Sequence, residues 1–255
     1  MSKEELIKVW KDTYSLFNEE FEDSPDNSFL VDANVKPIST FIPTTEIEVV
    51  NQNCIDVTQE LVQCDYKPCL LNFASAKNPG GGVIKGSSAQ EEEICRRSNL
   101  FFYLVAYSDK ARDYGIVPKE PVYGLNTGWI IYTPQVIFIK DKNYKLSFEP
   151  FCADVISCSA LNRNQPEPRN GWEKETKRRM RNIFRIAYNN GCDSLVLGAW
   201  GCGVFKNPPE EMAKWWHEVI LEPEFQNKFK NITFAILNDK NSVSNNYEIF
   251  KKEFE

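Results

Sequence analysis

Three consecutive glycines and a run of three glutamates lie close together in this sequence. Gly80-Gly81-Gly82 follow Asn78-Pro79, and Gln90 directly precedes Glu91-Glu92-Glu93. Glycine lets a backbone approach a ligand closely and adopt positive φ, so consecutive N–H groups can turn toward phosphate oxygens. Carboxyl groups are the usual acid and base in glycoside hydrolysis. A glycine loop followed by a carboxylate cluster therefore indicates a site that cleaves a nucleotide-linked sugar.

Both halves of this pattern also have a purely structural interpretation. The triple glycine could be only a turn. Ser88, three residues before Glu91, forms the sequence pattern of a capping box, and the helix dipole stabilises an acid in a first turn by ~0.3 to 1 kcal/mol. Successive helical residues point about 100° apart, so only one or two of the three glutamates can face one ligand.

A second glycine-rich segment favours the ligand-binding interpretation. Residues 198–205 read Gly-Ala-Trp-Gly-Cys-Gly-Val-Phe and follow the apolar run 194–197, just as the first loop follows the apolar run 68–73. Both runs are predicted strands. Ligands of open α/β sheets bind beyond the carboxyl ends of the strands, so the two loops are expected at that position.

The composition excludes several classes of site. The chain has one histidine, His217, which disfavours His-rich zinc sites and Ser-His-Asp or Cys-His catalysis. Its eight cysteines form no C-x-x-C pair and, without a secretory signal pattern, are expected to be free thiols.

A net charge of -6 disfavours sequence-specific nucleic-acid binding. No apolar run approaches the ~18 residues of a membrane span, so we expect no membrane association and an intracellular location, cytoplasmic with the nucleus left open.

The elements that must position these loops alternate along the chain. An amphipathic helix is followed by an irregular, polar connection over residues 24–45, and strands and helices then alternate. This order predicts an α/β three-layer sandwich with a parallel or mixed sheet. The predicted strands are 47–50, 69–73, 129–132, 136–140, 151–157, 194–197 and 232–237; the predicted helices are 3–22, 56–62, 89–107, 172–189, 209–219 and a closing helix.

Residues 71–82 followed by Gln90-Glu91-Glu92 resemble the signature of poly(ADP-ribose) glycohydrolases, which is three glycines, a spacer of six to eight residues, and Gln-Glu-Glu. The spacer here, Val83 to Ala89, has seven residues. The second loop, with Asn207-Pro208 after it, is similar to the diphosphate loop of that family. The resemblance covers about residues 46–240 and is to the smaller, microbial-type branch. It implies a macrodomain-like catalytic domain over residues 46–255, preceded by an N-terminal helical extension and connection over residues 1–45.

The resemblance also implies roles for single residues. Glu92 would be the catalytic residue, and Glu91 would orient the ribose through its hydroxyls. Gln90 would bind near the same sugar or support the loop. Phe205 matches an aromatic residue that packs on the ribose at the cleaved bond.

The remaining implied contacts concern the diphosphate and the adenine. The diphosphate would receive backbone N–H groups from both loops, which are Gly81, Gly82 and Val83 on one side and Gly201, Cys202, Gly203 and Val204 on the other. Asp56, in Asp56-Val57-Thr58, resembles the macrodomain element that accepts a hydrogen bond from the adenine amine. Helix capping by Asp56 is the alternative interpretation.

The implied activity is hydrolysis of ribose-ribose O-glycosidic bonds at polymer ends, which releases ADP-ribose. The partners are then poly(ADP-ribose) or ADP-ribosylated macromolecules, the protein acts as a monomer, and no cofactor or metal is needed. One alternative is a macrodomain that binds ADP-ribose without cleaving it. The other is a hydrolase of a different ADP-ribose linkage, to a protein side chain or a nucleic-acid base.

Two further features have competing interpretations. Cys202, between two glycines, could be a nucleophile, but the need for a small residue in a tight loop explains it better. The basic segment 174–181 could dock an anionic polymer or could be an ordinary solvated helix face.

Overall fold

The computed structural model describes residues 1–18, 28–31, 35, 44–120, 123, 128–238 and 245–255. Helices and strands alternate through most of this range, as the sequence predicts. The helices are α1 (Lys3–Asn18), α2 (Cys54–Gln63), α3 (Gln90–Arg97), α4 (Leu100–Val105), α5 (Trp172–Asn189), α6 (Pro209–Ile220) and α7 (Asn246–Phe254). The strands are β1 (Phe29–Val31), β2 (Glu46–Val50), β3 (Pro68–Phe73), β4 (Ile130–Lys140), β5 (Leu146–Cys158), β6 (Ser194–Leu197) and β7 (Asn231–Ala235).

The strands form a seven-stranded mixed sheet, so the predicted α/β class is confirmed. Strands β1, β4 and β5 are neighbours in that order and run antiparallel. Strands β3, β6, β7 and β2 are neighbours in that order and run parallel. Strands β3, β6 and β7 are buried along almost their whole length, whereas β2, at the end of the parallel set, is partly exposed.

Contacts between residues divide the chain into two compact units. The first unit comprises Met1–Val31 and Asn72–Ser159, and the second comprises Asp32–Leu71 and Ala160–Glu255. The first unit thus contains α1 together with the glycine loop and the glutamates. The second contains the loop after β6 and the helices α2, α5, α6 and α7. The predicted division of the chain at residues 45 and 46 stays a prediction.

The predicted helix over 89–107 is wrong as one element, because the structure breaks it into α3 and α4. Ser98 is extended, with φ -146 and ψ 175. The Asn99 side-chain oxygen accepts from the Ile137 backbone N–H at 2.9 Å, and the Asn99 N–H donates to the Ile137 carbonyl at 3.2 Å. Ser98 and Asn99 lie inside an apolar segment that was predicted to be helical, but they pair with β4.

Two predicted β segments, 129–132 and 136–140, form the single strand β4. Its register against β5 shifts between Thr133 and Val136, and Gln135 takes φ 53. Pro134 has no N–H to give to a ladder, so the irregularity lies where the sequence weakens the strand. The segment 24–45, predicted to be irregular, contains β1; most of its other residues, and residues 19–22 of the first predicted helix, lie outside the described residues.

Candidate functional site

The loop after β3 holds three glycines against the start of α3. Gly80 and Gly81 have φ 67 and 60, the left-handed region that favours glycine. A Cβ on Gly81 would lie 2.9 Å from the Glu92 carboxyl carbon and 3.1 Å from a Glu91 carboxylate oxygen. A Cβ on Gly80 would lie 2.7 Å from the Phe101 ring. Glycine is needed at position 81 because two carboxyl groups pack directly on the backbone there.

Glu91 and Glu92 are each oriented by one backbone N–H of this loop. The Ser75 N–H donates to Glu91 Oε2 at 2.8 Å, and the Gly82 N–H donates to Glu92 Oε1 at 2.7 Å. The predicted capping box is wrong: the helix starts with Ala89 as its N-cap, and no side chain caps it. Glu91 therefore turns inward to the loop and does not reach back along its own helix.

The two carboxyl groups are almost fully buried, with Glu91 3% and Glu92 7% exposed. Glu91 Oε1 and Glu92 Oε2 make no hydrogen bond to any part of the chain that the structure describes. Burial raises the pKa of Glu91 to about 8, against the Ser75 N–H, which lowers it, and the charge of Glu92 raises it further. A buried carboxyl oxygen without a hydrogen-bond donor is energetically costly, so these two oxygens are candidate acceptors for the hydroxyl groups of a ligand.

Gln90 joins α3 to the end of β3, and both of its predicted roles stay predictions. Its Oε1 accepts from the Phe73 N–H at 2.8 Å, which ties the first residue of α3 to the last residue of β3. The next glutamate, Glu93, lies 3.6 Å from Arg97 one turn along α3. Glu93 is thus an ordinary helix residue with an ion pair.

The backbone amides of the first loop are already engaged. Gly81 N–H donates to the Asn78 carbonyl at 3.0 Å, Val83 N–H donates to the Gly80 carbonyl at 3.1 Å, and Gly82 N–H donates to Glu92. These hydrogen bonds shape the loop around the carboxyl groups. Binding of a diphosphate by the three N–H groups stays a prediction.

The loop after β6 leaves several of its amides unused. The Cys202 N–H donates to the Ala199 carbonyl at 3.1 Å. In contrast, the N–H groups of Gly203, Val204 and Phe205 have no hydrogen-bond partner among the residues that the structure describes. Three consecutive free amides are the donor set that an anion-binding nest requires.

Asn207 anchors this second loop. Its Nδ2 donates to the carbonyls of Leu161 and Gly201, at 2.7 and 3.1 Å. A Cβ on Gly201, which has φ 76, would lie 2.5 Å from that Nδ2 and 2.6 Å from the Ala160 Cβ. The loop conformation thus depends on glycine at 201 and on an amide side chain at 207.

Cys202 does not have the properties of a nucleophile. Burial raises the pKa of its thiol to about 12, with a further contribution from the charge of Glu210. The chain's one histidine, His217, makes a 2.8 Å hydrogen bond to Glu253. All eight cysteines are free thiols, as predicted.

Asp56 lies in the first turn of α2, where it is half-buried. The alternative interpretation of Asp56 as a helix cap is wrong, because Asn53 is the N-cap and its side chain accepts from the Ile55 N–H at 2.8 Å. Binding of an adenine amine by Asp56 stays a prediction.

Two buried polar side chains near the glutamates were not singled out from the sequence. Asn72, inside the apolar run of β3, donates to Ser157 Oγ at 3.0 Å, and its Oδ1 has no partner in the described residues. The Tyr123 hydroxyl is likewise buried without a partner there, and burial followed by the charge of Glu91 raises its pKa well above the usual value. Asn72 could have been recognised from the sequence, because it is a polar residue within an otherwise apolar predicted strand.

The N-terminal helix α1 makes hydrogen bonds to α3, the helix that carries the glutamates. Arg96 of α3 is fully buried; it donates from Nε to the Leu6 carbonyl of α1 at 3.3 Å and from Nη2 to the Ser87 carbonyl. The Thr13 hydroxyl of α1 donates to the Arg96 carbonyl at 2.6 Å. Arg96 therefore links α1, the loop 82–89 and the glutamate-bearing helix.

Neither a metal-binding cluster nor a membrane-spanning helix is present in the described ranges. In the described ranges, no group of three or more His, Cys, Asp or Glu side chains could hold a metal ion. No helix within those ranges is long and apolar enough to cross a bilayer.

The chain is similar in sequence and in structure to known proteins. The family model described as microbial-type PARG, catalytic domain, matches residues 10–141, which is more than half of the chain. The poly(ADP-ribose) glycohydrolase from Deinococcus radiodurans, in a complex with ADP-ribose, is 32% identical; the match covers 91% of this chain and 96% of that one, with a TM-score of 0.75.

Two structures of the poly(ADP-ribose) glycohydrolase from Thermomonospora curvata show the same fold. One is 23% identical with a TM-score of 0.83, and the other, bound to the inhibitor ADP-HPD, is 24% identical with a TM-score of 0.80. Each match covers 98% of this chain and 100% of the other. The predicted macrodomain-like fold class is thereby confirmed. No curated protein matches the chain.

Proposed function

The chain belongs to the microbial-type poly(ADP-ribose) glycohydrolases, and on that premise we propose that it hydrolyses the ribose-ribose O-glycosidic bond of poly(ADP-ribose) and releases ADP-ribose. The observation that carries the proposal is the carboxyl pair. Glu91 and Glu92 are buried side by side, each is held by one backbone N–H, and each keeps one oxygen free. A module that only binds ADP-ribose has no need for two buried carboxyl groups at this cost.

The pair is suited to holding one proton at neutral pH. Two like charges in a buried site cannot both ionise easily, and the pKa of Glu91 at about 8 reflects burial and the charge of Glu92. When ribose hydroxyls donate hydrogen bonds to Glu91, they favour its ionised form. Glu91 then gives up its proton, and in the proposed reaction Glu92 carries a proton to the leaving oxygen.

Cleavage of the glycosidic bond requires an acid and a water molecule. Glu92 donates its proton to the leaving ribose oxygen as the bond from that oxygen to the anomeric carbon breaks. The Glu92 carboxylate then accepts a proton from the water that attacks the anomeric carbon, which regenerates the acid. The free oxygen, Oε2, is the atom available for both transfers, because Oε1 is occupied by the Gly82 N–H.

The remaining site residues hold the substrate. The free amides of Gly203, Val204 and Phe205 support diphosphate binding by the second loop, to which the family resemblance assigns Gly201 and Cys202 as well. The Phe205 side chain packs on the ribose at the cleaved bond. By the family resemblance, Gly81, Gly82 and Val83 lie at the diphosphate, and Asp56 accepts from the adenine amine.

The proposal is tested with two substrates offered in parallel. Purified protein is incubated with auto-modified poly(ADP-ribose) polymerase and with mono-ADP-ribosylated protein, and released ADP-ribose is measured. Release from polymer that stops at the last protein-linked unit is the expected result. Release from the mono-modified protein alone would indicate a hydrolase of another linkage, and binding of ADP-ribose without release would indicate a binding module.

Cleavage at polymer ends has its own readout. An enzyme that acts at ends produces free ADP-ribose from the first time point, whereas internal cleavage first produces shorter polymers. We propose end cleavage, because the chain resembles the smaller branch of the family. Early accumulation of oligomers would contradict it.

A further inference from the structure

The second unit contains a cleft that has no part in the site described above. It has a volume of about 620 Å³ and lies at the N-terminal ends of α5 and α6. Clefts of ~300 to 1,000 Å³ are typical of ligand sites. Most of the side chains that line it are aromatic or charged, and they include Arg163, Trp172, Lys174, Lys177, Glu211 and Trp215.

One wall of the cleft is shared with the second loop. The Arg163 guanidinium lies 4.5 Å from the centre of the Trp172 ring and 5.8 Å from that of Trp215, and it pairs with Glu211. The backbone N–H of the same residue donates to the Phe205 carbonyl at 2.9 Å. The cleft therefore adjoins the chain segment that carries Phe205.

The charges in the cleft are mostly paired already. Lys177 pairs with Glu173 and Glu218, and Arg181 makes a bidentate pair with Glu222. Lys174, which is exposed, has no ion pair in the described part of the chain. The excess of positive charge is small. A ligand in the cleft must therefore gain binding free energy from stacking on an aromatic ring as well as from charge.

We propose that this cleft binds the next ADP-ribose unit of the polymer, on the leaving side of the cleaved bond. Its adenine stacks on Trp172, and its diphosphate lies near Lys174. Each unit of poly(ADP-ribose) carries one aromatic base and two negative charges, which matches a cleft that offers a half-buried indole and a free ammonium group. The inference rests on the proposed function, which puts Phe205 at the sugar whose bond to this unit is cleaved.

The test separates binding of the polymer from binding of one unit. KM is measured with poly(ADP-ribose) of fixed length, and Kd for free ADP-ribose is measured by calorimetry, for wild type, Trp172→Leu and Lys174→Glu. Trp172→Leu is expected to raise the KM for polymer about fivefold or more, since loss of base stacking on an aromatic ring has effects of this order. Lys174→Glu is expected to raise the KM as well, because it places a negative charge beside the diphosphate. The Kd for ADP-ribose should stay unchanged, because a single unit occupies only the catalytic site.

Two further variants control for indirect effects. Trp172→Phe keeps an aromatic face, so its KM for polymer should stay close to the wild-type value. A purely structural role of the indole would not predict this result. Lys252→Glu makes the same charge reversal on an exposed lysine of α7, outside the cleft, and should behave as wild type. If Trp172→Leu fails to fold, Lys174→Glu alone decides.

Three outcomes would overturn the inference. They are an unchanged KM for polymer in both cleft variants, a parallel rise in the Kd for ADP-ribose, and an equal effect of Lys252→Glu. The first leaves the proposed function intact, because wild type still releases ADP-ribose. Absence of release by wild type would overturn the proposed function, and the cleft inference with it.

Discussion

Substitution of Gly81 by alanine should damage catalysis more than it damages folding. The added Cβ would lie 2.9 Å from the Glu92 carboxyl carbon and 3.1 Å from a Glu91 oxygen, closer than unbonded atoms normally approach. Both carboxyl groups must move by several tenths of an ångström or more, and the Gly82 N–H then loses its aligned contact with Glu92. Misplacement of a catalytic group by about 1 Å can lower the rate ~10²-fold, so we expect a decrease in kcat of that order.

The folding cost of the same substitution is modest by comparison. Alanine at φ 60 is disfavoured by about 1 to 2 kcal/mol. Gly115→Ala is the matched control, because Gly115 has φ 71 and an added Cβ there would meet nothing within 4 Å. It should show a similar loss of unfolding free energy with an unchanged kcat.

The assay is release of ADP-ribose from poly(ADP-ribose), with unfolding of each variant followed in urea. Equal kcat values for Gly81→Ala and Gly115→Ala would refute the reasoning. That result would mean that the glycine is required by the backbone conformation alone and not by the approach of the carboxyl groups.

Three other predictions follow from single contacts. Because the raised pKa of Glu91 keeps its carboxyl protonated in the folded protein, the contribution of Glu91 to stability should be fully present below pH 4.5 and should be lost as the pH rises toward about 8. Glu91→Gln should therefore remove part of the decrease in unfolding free energy between about pH 5 and 8 in urea titrations, and an identical decrease in both proteins would contradict it. Thr13→Val removes the 2.6 Å hydrogen bond to the Arg96 carbonyl and should lower the free energy of unfolding by about 1 to 3 kcal/mol, so an unmoved urea midpoint would argue against a supporting role for α1. Cys202→Ala should retain kcat to within about twofold, because a thiol with a pKa of about 12 is not ionised at neutral pH, and loss of turnover would reopen a nucleophilic role.

The elements that the sequence predicted best are those with local causes. Helix α5 and strand β6 have the predicted bounds, because a long amphipathic period and a short apolar run are each readable within their own segment. The break at Ser98 was not readable in this way. It depends on hydrogen bonds between Asn99 and Ile137, a strand residue far along the chain.

The candidate site shows the same division between local and distant causes. The glycine and Gln-Glu-Glu motif located the correct loop and helix, but the capping box misassigned Glu91. The competing Ser75 N–H comes from the loop after β3 and not from the start of α3. The reason for glycine at position 81 was also inferred incompletely. Phosphate binding was expected, whereas the structure shows the chain's own carboxyl groups against the backbone. Such contacts arise only when the loop has folded back on the helix.

The central claim is that Glu92 transfers the proton, and it is tested most directly by Glu92→Gln. The amide keeps the shape of the side chain but cannot donate a carboxylic proton. We expect release of ADP-ribose from polymer to fall ~10²- to 10⁴-fold while the Kd for ADP-ribose changes little.

Glu93→Gln, one residue along the same helix and paired with Arg97, is the matched control and should turn over as wild type does. Both variants are measured with the same polymer and at the same pH. A Glu92→Gln protein that releases ADP-ribose at the wild-type rate would contradict the account.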